Sequence, residues 1–156
     1  MKLIQEFTVN ARLANSLPIG KGPIGHRLYV EVLGGTLEGE RVSGEIVSGG
    51  EWALFGPDGF ARVDVRLQVK THDDAFLYIQ YGGLLEMNKA VQEAGASGKG
   101  TAFEDQYFYT NPRFETGAEQ HAWLNTTFFI GQGRMHESTG AEGEANGVEY
   151  RIWRPE

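Results

Sequence analysis

The segment from Gly49 to Gly83 reads GGEWALFGPDGFARVDVRLQVKTHDDAFLYIQYGG, and it decides the fold. Two strand-like runs lie between its glycine pairs, and the first alternates between apolar and polar residues over positions 61–70. A period of two sustained over this length indicates a β-strand with two unlike faces. The apolar face is Ala61, Val63, Val65, Leu67 and Val69, and the polar face is Arg62, Asp64, Arg66, Gln68 and Lys70.

The direction of the Asp64 and Arg66 face separates two interpretations of this strand. If it faces water, the pair is a surface ion pair worth about 0–1 kcal/mol. If it faces an enclosed cavity, Asp64 becomes a candidate base and Arg66 its orienting cation, because an arginine this close favours the ionised aspartate. The pattern alone favours the exposed interpretation, since apolar faces normally point inward.

Length and composition place narrow bounds on the class of protein. The chain has 156 residues, which fits one domain over 1–156, and it has no cysteine for disulfides or thiolate chemistry. Its formal charge of −7 disfavours binding to nucleic acid or to an anionic membrane. The first residues, MKLIQEFTVN, lack a signal-peptide pattern, and no apolar run is long enough to span a bilayer. We therefore expect a soluble, cytoplasmic protein.

The chain as a whole favours an all-β fold. Its 22 glycines and 12% aromatic share are typical of short strands joined by tight turns. We count eight to ten strands, including strands over 101–110 and 122–130, and one helix over 84–94 capped by Gly95. The helix precedes a flexible GASGKG segment and is either a plain connector, which we favour, or a lid. We predict a closed antiparallel meander barrel of about eight strands, whose interior is filled or holds one small ligand.

Short motifs give no support to cofactor or metal chemistry. Residues 20–25 read GKGPIG and match the dinucleotide pattern in letters only, since a proline lies inside and a strand follows. Residues 98–100 read GKG without the Ser or Thr of a phosphate-binding loop. The four histidines form no metal-binding pair, and no nucleophile motif is present. We expect no metal and no cofactor.

Three pairs of residues combine an aromatic surface with a hydrogen-bonding group on one strand face. Such pairs are either amphipathic core residues or the walls of a small-molecule cavity. The pairs are Tyr107 with Tyr109, Tyr78 with Gln80, and Trp123 with Asn125.

A set of glycines, charged residues and aromatic residues follows a specific order and spacing along residues 25–153. Its members are Gly34-Gly35, Gly39, Gly44, Gly49-Gly50-Glu51-Trp52, Asp58-Gly59, Asp64, Arg66, Thr71, Ala75, Tyr78, residues 109–116 (YTNPRFET), Trp123-Leu124-Asn125, Gly131 and Gly133. In this set the chain resembles a bacterial family known as domain of unknown function 3237, in which an Asp is usual where Glu51 stands. The resemblance implies an eight-stranded barrel similar to allene oxide cyclases and dirigent proteins, which bind apolar molecules and steer cyclisation or coupling.

The resemblance gives the inward interpretation of Asp64 a weight equal to the outward one, and it leads to a site hypothesis. A largely apolar or aromatic carbonyl compound would bind in the barrel, with Arg66 on its oxygen and Asp64 as base. Isomerisation, cyclisation or elimination by general acid–base catalysis would fit this set. Tyr109 completes the catalytic residues, and Trp52, Tyr78, Gln80, Tyr107, Trp123 and Asn125 would bind the ligand.

Two other functions use the same residues. A carrier barrel would hold the ligand without turnover. An oligomeric structural protein would cover the apolar face of strand 61–70 with another subunit, as it must be covered if Asp64 points inward. We expect a homo-oligomer with a small organic ligand as its partner.

Overall fold

The computed structural model describes residues 1–156, which form ten strands, one α-helix and two 3-10 helices. The helix α1 is Lys89–Ser97, and the 3-10 helices are Phe103–Asp105 and Glu119–Thr126. The strands are β1 (Leu3–Leu13), β2 (Leu17–Gly22), β3 (Gly25–Gly39), β4 (Gly44–Phe55), β5 (Phe60–Thr71), β6 (Phe76–Glu86), β7 (Phe108–Thr110), β8 (Arg113–Glu115), β9 (Ile130–His136) and β10 (Gly147–Pro155).

These strands close into an antiparallel barrel with eight positions around its wall. The order is β1-β10-β9-β7-β6-β5-β4-β3, and β1 closes the circle by pairing with both β10 and β3. β7 and β8 pair with opposite ends of β6 and so share one position. β2 pairs only with the first half of β3, beyond the closed part of the wall. The predicted all-β meander barrel is confirmed.

The orientation of β5 is the reverse of the inward interpretation. Its apolar face is buried in the barrel, while Asp64 and Arg66 are exposed on the outer wall. Burying a valine or leucine contributes roughly 1.5–3 kcal/mol, whereas an uncompensated buried charge is strongly unfavourable. Of the two interpretations of Asp64, the inward one is therefore wrong and the outward one, which the pattern alone favours, is the observed one. The alternative in which Val63 and its apolar neighbours form a subunit interface is also wrong, since these side chains form the core.

A β-bulge in β4 decides which residues of that strand face inward. Ile46 pairs with Val69, and both are buried in the lumen. The next paired residue is Ser48, opposite the outward-facing Gln68, so that Val47 is an extra residue in the ladder. An extra residue shifts the side-chain alternation of everything that follows it by one position.

The bulge turns the glutamate of the Gly49-Gly50-Glu51-Trp52 motif into the barrel. Glu51 pairs with Val65, whose side chain points to the lumen. Trp52 therefore lies on the outer wall, where 48% of its surface is exposed. An unbroken alternation from Ile46 would have given the opposite arrangement.

One end of the barrel is plugged by aromatic rings. The Phe7 ring lies 5.3 Å from that of Phe114 and 5.9 Å from that of Phe129, measured between centroids. Trp123 stacks on Phe7 at 6.3 Å from the 3-10 helix that covers this end. The other end remains hollow beneath α1, and the candidate site lies there.

Three predicted elements differ from the observed ones. α1 begins after Asn88, whose side-chain oxygen accepts from the Val91 amide at 3.0 Å, and it ends at Gly98, so Gly95 is inside the helix. Residues 84–86 belong to β6. The predicted strands over 101–110 and 122–130 are largely 3-10 helix and loop, with only Phe108–Thr110 and Ile130 in strands. No helix is long and apolar enough to cross a membrane.

Candidate functional site

The hollow end of the barrel contains a cavity of about 360 Å³. Its volume is in the range of small-molecule sites. α1 covers one side of it, with Val91 buried and Gln92 and Gly95 at its border. The helix is therefore a roof, rather than the plain connector favoured by the sequence. The lining is Ala11, Leu13, Val32, Glu51, Phe55, Val63, Val65, Tyr81, Leu85, Met87, Val91, Gln92, Gly95, Phe108, Met135, Val148 and Tyr150.

Glu51 is the only charged residue in this apolar lining. Its side chain keeps some accessible surface because it borders the cavity, although protein atoms surround it on nearly all sides. Burial, followed by the negative charge of Asp64, raises the pKa of the Glu51 carboxyl to about 7. The group therefore exchanges a proton near neutral pH, as a general acid or base must.

Two buried tyrosines share the cavity with this carboxyl. Tyr81 on β6 pairs with Val65, the residue that also pairs with Glu51, so the two polar side chains come from the same level of the wall. Tyr150 comes from β10, and its ring meets that of Tyr81 edge to face at 5.3 Å. Burial raises the pKa of both phenols, and the charge of Glu51 raises it further. Both hydroxyls are therefore protonated and able to donate.

A glycine on β9 makes room for Tyr150. Gly133 pairs with Tyr150, and a methyl group at this position would lie 2.6 Å from the Phe108 ring and 2.9 Å from the Tyr150 ring. A side chain here would displace one of the two rings. Because Gly133 has no side chain, the Tyr150 ring can occupy its observed position in the cavity.

The arrangement supports proton transfer on an apolar molecule. A carboxyl with a pKa near neutrality can take a proton from carbon and return it, and phenolic donors can stabilise the negative charge that forms on an oxygen. Gln92 adds one amide at the roof, and its nitrogen donates to the Met87 carbonyl at 2.8 Å. No group of three or more His, Asp or Glu side chains is placed to hold a metal ion.

The residues predicted as a site lie outside this cavity, and four of them meet elsewhere. Trp52, Asp64, Arg66 and Tyr78 border an open groove on the outer wall of β4, β5 and β6. The outward phase of β5 and the bulge in β4 explain their position. The structure thus groups the predicted catalytic pair with two aromatic residues, but on the solvent side of the barrel.

The other predicted residues lie at three further places on the barrel. Gln80 and Asn125 border a second outer groove, and the Asn125 amide is bonded to the Thr116 backbone at 2.8 and 3.0 Å. Tyr107 and Tyr109 form an exposed pair with ring centroids 4.8 Å apart. Trp123 belongs to the plugged end, with the Arg41 guanidinium 3.4 Å above its ring.

Sequence reasoning missed Glu51, Tyr81 and Tyr150 as site residues. Two signals were available for Glu51, an acidic residue directly after Gly49-Gly50 and the departure from the family's usual Asp. A strictly alternating strand would place Glu51 outward, and only the bulge reverses this. Tyr81 and Tyr150 read as ordinary strand aromatics, because no local pattern indicates that they face each other across a lumen.

A closed eight-position barrel with an acidic, phenol-lined cavity thus defines the class of protein. The sequence profile of a family described as "Protein of unknown function (DUF3237)" matches residues 1–155, and the chain belongs to this family. Its curated relatives include UPF0311 proteins from Rhodopseudomonas palustris and Clostridium acetobutylicum. They are 28% and 26% identical, each match covering 83% of this chain and 86% and 84% of the respective relative.

Solved structures share the barrel. A conserved protein of unknown function from Rhodopseudomonas palustris superposes with a TM-score of 0.84 at 25% identity, covering 98% of this chain and 96% of the other. A protein described as an enzyme from Penicillium herquei gives 0.68 at 20% identity, covering 99% and 94%. At that identity the likeness to the Penicillium protein concerns the fold alone.

Proposed function

We propose that this protein is a cofactor-independent enzyme that moves a proton on a small, largely apolar carbonyl compound. The observation that supports it is a single carboxyl, Glu51, with a pKa of about 7 in an apolar cavity that also holds the phenols of Tyr81 and Tyr150. This proposal keeps the reaction class suggested by the sequence and moves it from Asp64 to Glu51.

The proposed step begins with ionised Glu51. Its carboxylate takes the proton from the carbon beside the substrate carbonyl, and the electrons of that bond move to the carbonyl oxygen to give an enolate. A hydrogen bond from Tyr81 or Tyr150 stabilises this oxygen. In isomerisation the protonated Glu51 returns the proton to another carbon, whereas in elimination the enolate expels a leaving group that departs with the proton.

The cavity also supports the choice of substrate class. Its apolar lining favours molecules without charge, because a charged ligand would lose its hydration with little compensation. The phenols supply a hydrogen-bond donor for one oxygen, which suits a ketone or an enone. The likeness to a barrel described as an enzyme supports the idea that this fold accommodates catalysis.

A direct test measures proton transfer without knowledge of the natural substrate. A panel of small cyclic ketones and enones is incubated with the protein in deuterated water, and exchange at the carbon beside the carbonyl is followed by NMR. We expect catalysed exchange with wild type and a loss of about 100-fold or more with Glu51→Gln, since a positioned base contributes about 10²–10⁴-fold. Glu45→Gln, the same change on the outer face of the same strand, is the control.

Two results would oppose the proposal. Exchange that survives Glu51→Gln unchanged would show that another group is the base. Ligands that copurify with the protein and raise its melting temperature, but exchange no proton in the wild type, would support the carrier function instead. Mass spectrometry of natively purified protein supplies those ligands.

A further inference from the structure

We propose that the outer wall of β4, β5 and β6 is the interface with a second copy of this chain. The two-fold axis would lie between the two facing sheets and run at right angles to β5. It would pass over the strand at Val65. Asp64 of each copy would then face the partner's Arg66. This inference concerns the outer wall and does not rest on the proposed function, although the charge of Asp64 also contributes to the raised pKa of Glu51.

Some charged residues on the outer face of β5 are in ion pairs within the chain and others are not, and the unpaired ones indicate a missing partner. Arg62 bonds to Asp58 at 2.6 Å, and Lys70 lies 3.7 Å from Asp74, so the two ends of the row are paired within the chain. Asp64 and Arg66, in the middle of the row, belong to no ion pair in the structure. Their Cβ atoms are about 7 Å apart on one face.

The symmetry of this pair is what favours a second copy over other partners. A two-fold axis perpendicular to β5 at Val65 places position 64 of one strand opposite position 66 of the other. It therefore creates two identical Asp–Arg contacts from one charge pattern, as an isologous interface requires. A partner of uniform charge could satisfy only one of the two groups.

A glycine beside Asp64 also requires an explanation from outside the chain. Gly82 pairs with Asp64 in the middle of β6, and a methyl group built on it meets nothing closer than 3.7 Å. Its backbone is not in a left-handed conformation. A glycine inside a strand weakens it because its backbone loses more freedom on folding, and such glycines often mark the close approach of another molecule.

The same axis brings two glycines of the outer wall opposite side chains of the partner. Gln80 pairs with Arg66, two residues along β6 from Gly82, so the partner's Gln80 would lie over Gly82. On β4, Gly50 also pairs with Arg66. Because β4 and β5 are antiparallel, Trp52, two residues after Gly50, lies beside Asp64, two residues before Arg66. The partner's Trp52 would then lie over Gly50.

Aromatic surface around these charges supplies the apolar part of the contact. Tyr29 covers Gly50 and lies 4.5 Å from the Trp52 ring, so the partner's Trp52 would pack on Tyr29. Trp52 and Tyr78 are 48% and 40% exposed. Exposed tyrosine and tryptophan beside an arginine form the usual composition of energetically dominant interface residues.

Charge reversal tests the interface and its symmetry together. Sedimentation velocity over a wide range of protein concentration should show a dimer for wild type. D64R and R66D should each weaken it by about tenfold or more, because each creates two like-charge contacts. The double variant D64R/R66D exchanges the charges and should restore the dimer. R151D makes the same change of charge as R66D, but on the outer wall of β10, away from the interface. It should leave the dimer intact.

A second variant tests the contact without any change of charge. Gly82→Thr should fold at least as stably as wild type, because the added group has space and threonine suits a strand. It should nevertheless weaken the dimer by about tenfold or more, because the partner's Gln80 would meet the new side chain. A monomeric wild type would overturn the proposal, as would a folded D64R/R66D that stays monomeric, a dimeric Gly82→Thr, or dissociation by R151D equal to that of R66D.

Discussion

At the scale of the single residue, Glu51 links the proposed chemistry to the stability of the fold. An ordinary glutamate has a pKa of 4.5, and burial raises that of Glu51 to about 7. Below pH 4.5 the group is protonated in the folded and the unfolded chain, so the raised pKa has no effect on stability. Between 4.5 and about 7 the unfolded chain loses the proton first, and the free energy of unfolding falls by on the order of 3 kcal/mol.

Glu51→Gln should remove this pH dependence. Glutamine cannot ionise, so we expect the variant to match wild type in stability at acid pH and to exceed it above pH 7. Chemical denaturation across the range from 4.5 to 8 measures the difference, and the Glu45→Gln variant controls for the loss of an exposed carboxylate on β4. A stability difference that stays constant with pH would show that Glu51 is not shielded from water.

The same residue marks the limit of sequence reasoning at this scale. The alternation of β5 is visible in the sequence. Because apolar residues prefer the interior, it favours an outward position of Asp64, which is the observed one. The inward position of Glu51 could not be predicted, because one unpaired residue, Val47, reverses which residues of β4 face inward. A bulge changes which face a side chain occupies but leaves almost no mark in the composition of the strand.

At the scale of the element, α1 contains two glycines with opposite roles. Gly95 is within the helix, and a methyl group added there meets nothing within 4 Å. Gly98 ends the helix at φ 75°, in the left-handed region that residues with a Cβ rarely adopt, and its amide donates to the Ala94 carbonyl at 2.9 Å. The sequence predicted the first as the cap, and the structure uses the second.

We therefore expect one substitution to act in opposite directions at these two sites. Gly95→Ala should raise the free energy of unfolding by about 0.5–1 kcal/mol through helix propensity. Gly98→Ala should lower it by about 1 kcal/mol, because alanine is strained in the left-handed conformation. Urea unfolding of the two variants gives the comparison. Stabilisation at both positions would contradict the assignment of Gly98 as the cap.

The elements that sequence reasoning missed depend on contacts between distant residues. Residues 122–130 alternate in apolar character as a strand does, but the chain forms a 3-10 helix over Glu119–Thr126. His121 and Leu124 are buried there at a spacing of three, which suits that helix. Asn125 then bonds to the Thr116 backbone, nine residues away, and this bond fixes the segment. Strand periodicity alone does not contain that information.

At the scale of the whole molecule, the two ends of the barrel have different roles. The plugged end packs Phe7, Phe114 and Phe129 against Trp123, while the hollow end places Glu51 beneath α1. A closed eight-position barrel can be filled by side chains or leave room for one small molecule, and this chain has a filled level at one end and a cavity at the other. The closed barrel was predictable from regular strands and glycine turns, but the division between filled and hollow ends depends on how side chains from distant strands meet.

This division predicts where substitutions affect stability and where they affect ligand binding. Phe129 is 1% exposed, with the Phe114 ring 4.8 Å away, so Phe129→Ala should cost about 3–5 kcal/mol and leave the cavity unchanged. Met135 borders the cavity and already lacks neighbours on that side, so Met135→Ala should cost no more than about 2 kcal/mol, the low end for such a truncation.

The two variants should also separate in their response to ligands. Met135→Ala enlarges the cavity and should change the melting shift produced by the small ketones, whereas Phe129→Ala should keep the wild-type shift. Urea unfolding gives the stability change of each variant, and thermal denaturation with and without ketone gives its ligand-induced melting shift. Equal stability losses, or a changed ligand response in Phe129→Ala alone, would mean that the packed end and the hollow end are not independent. The molecule would then have to be treated as one continuous core, with Glu51 part of its packing.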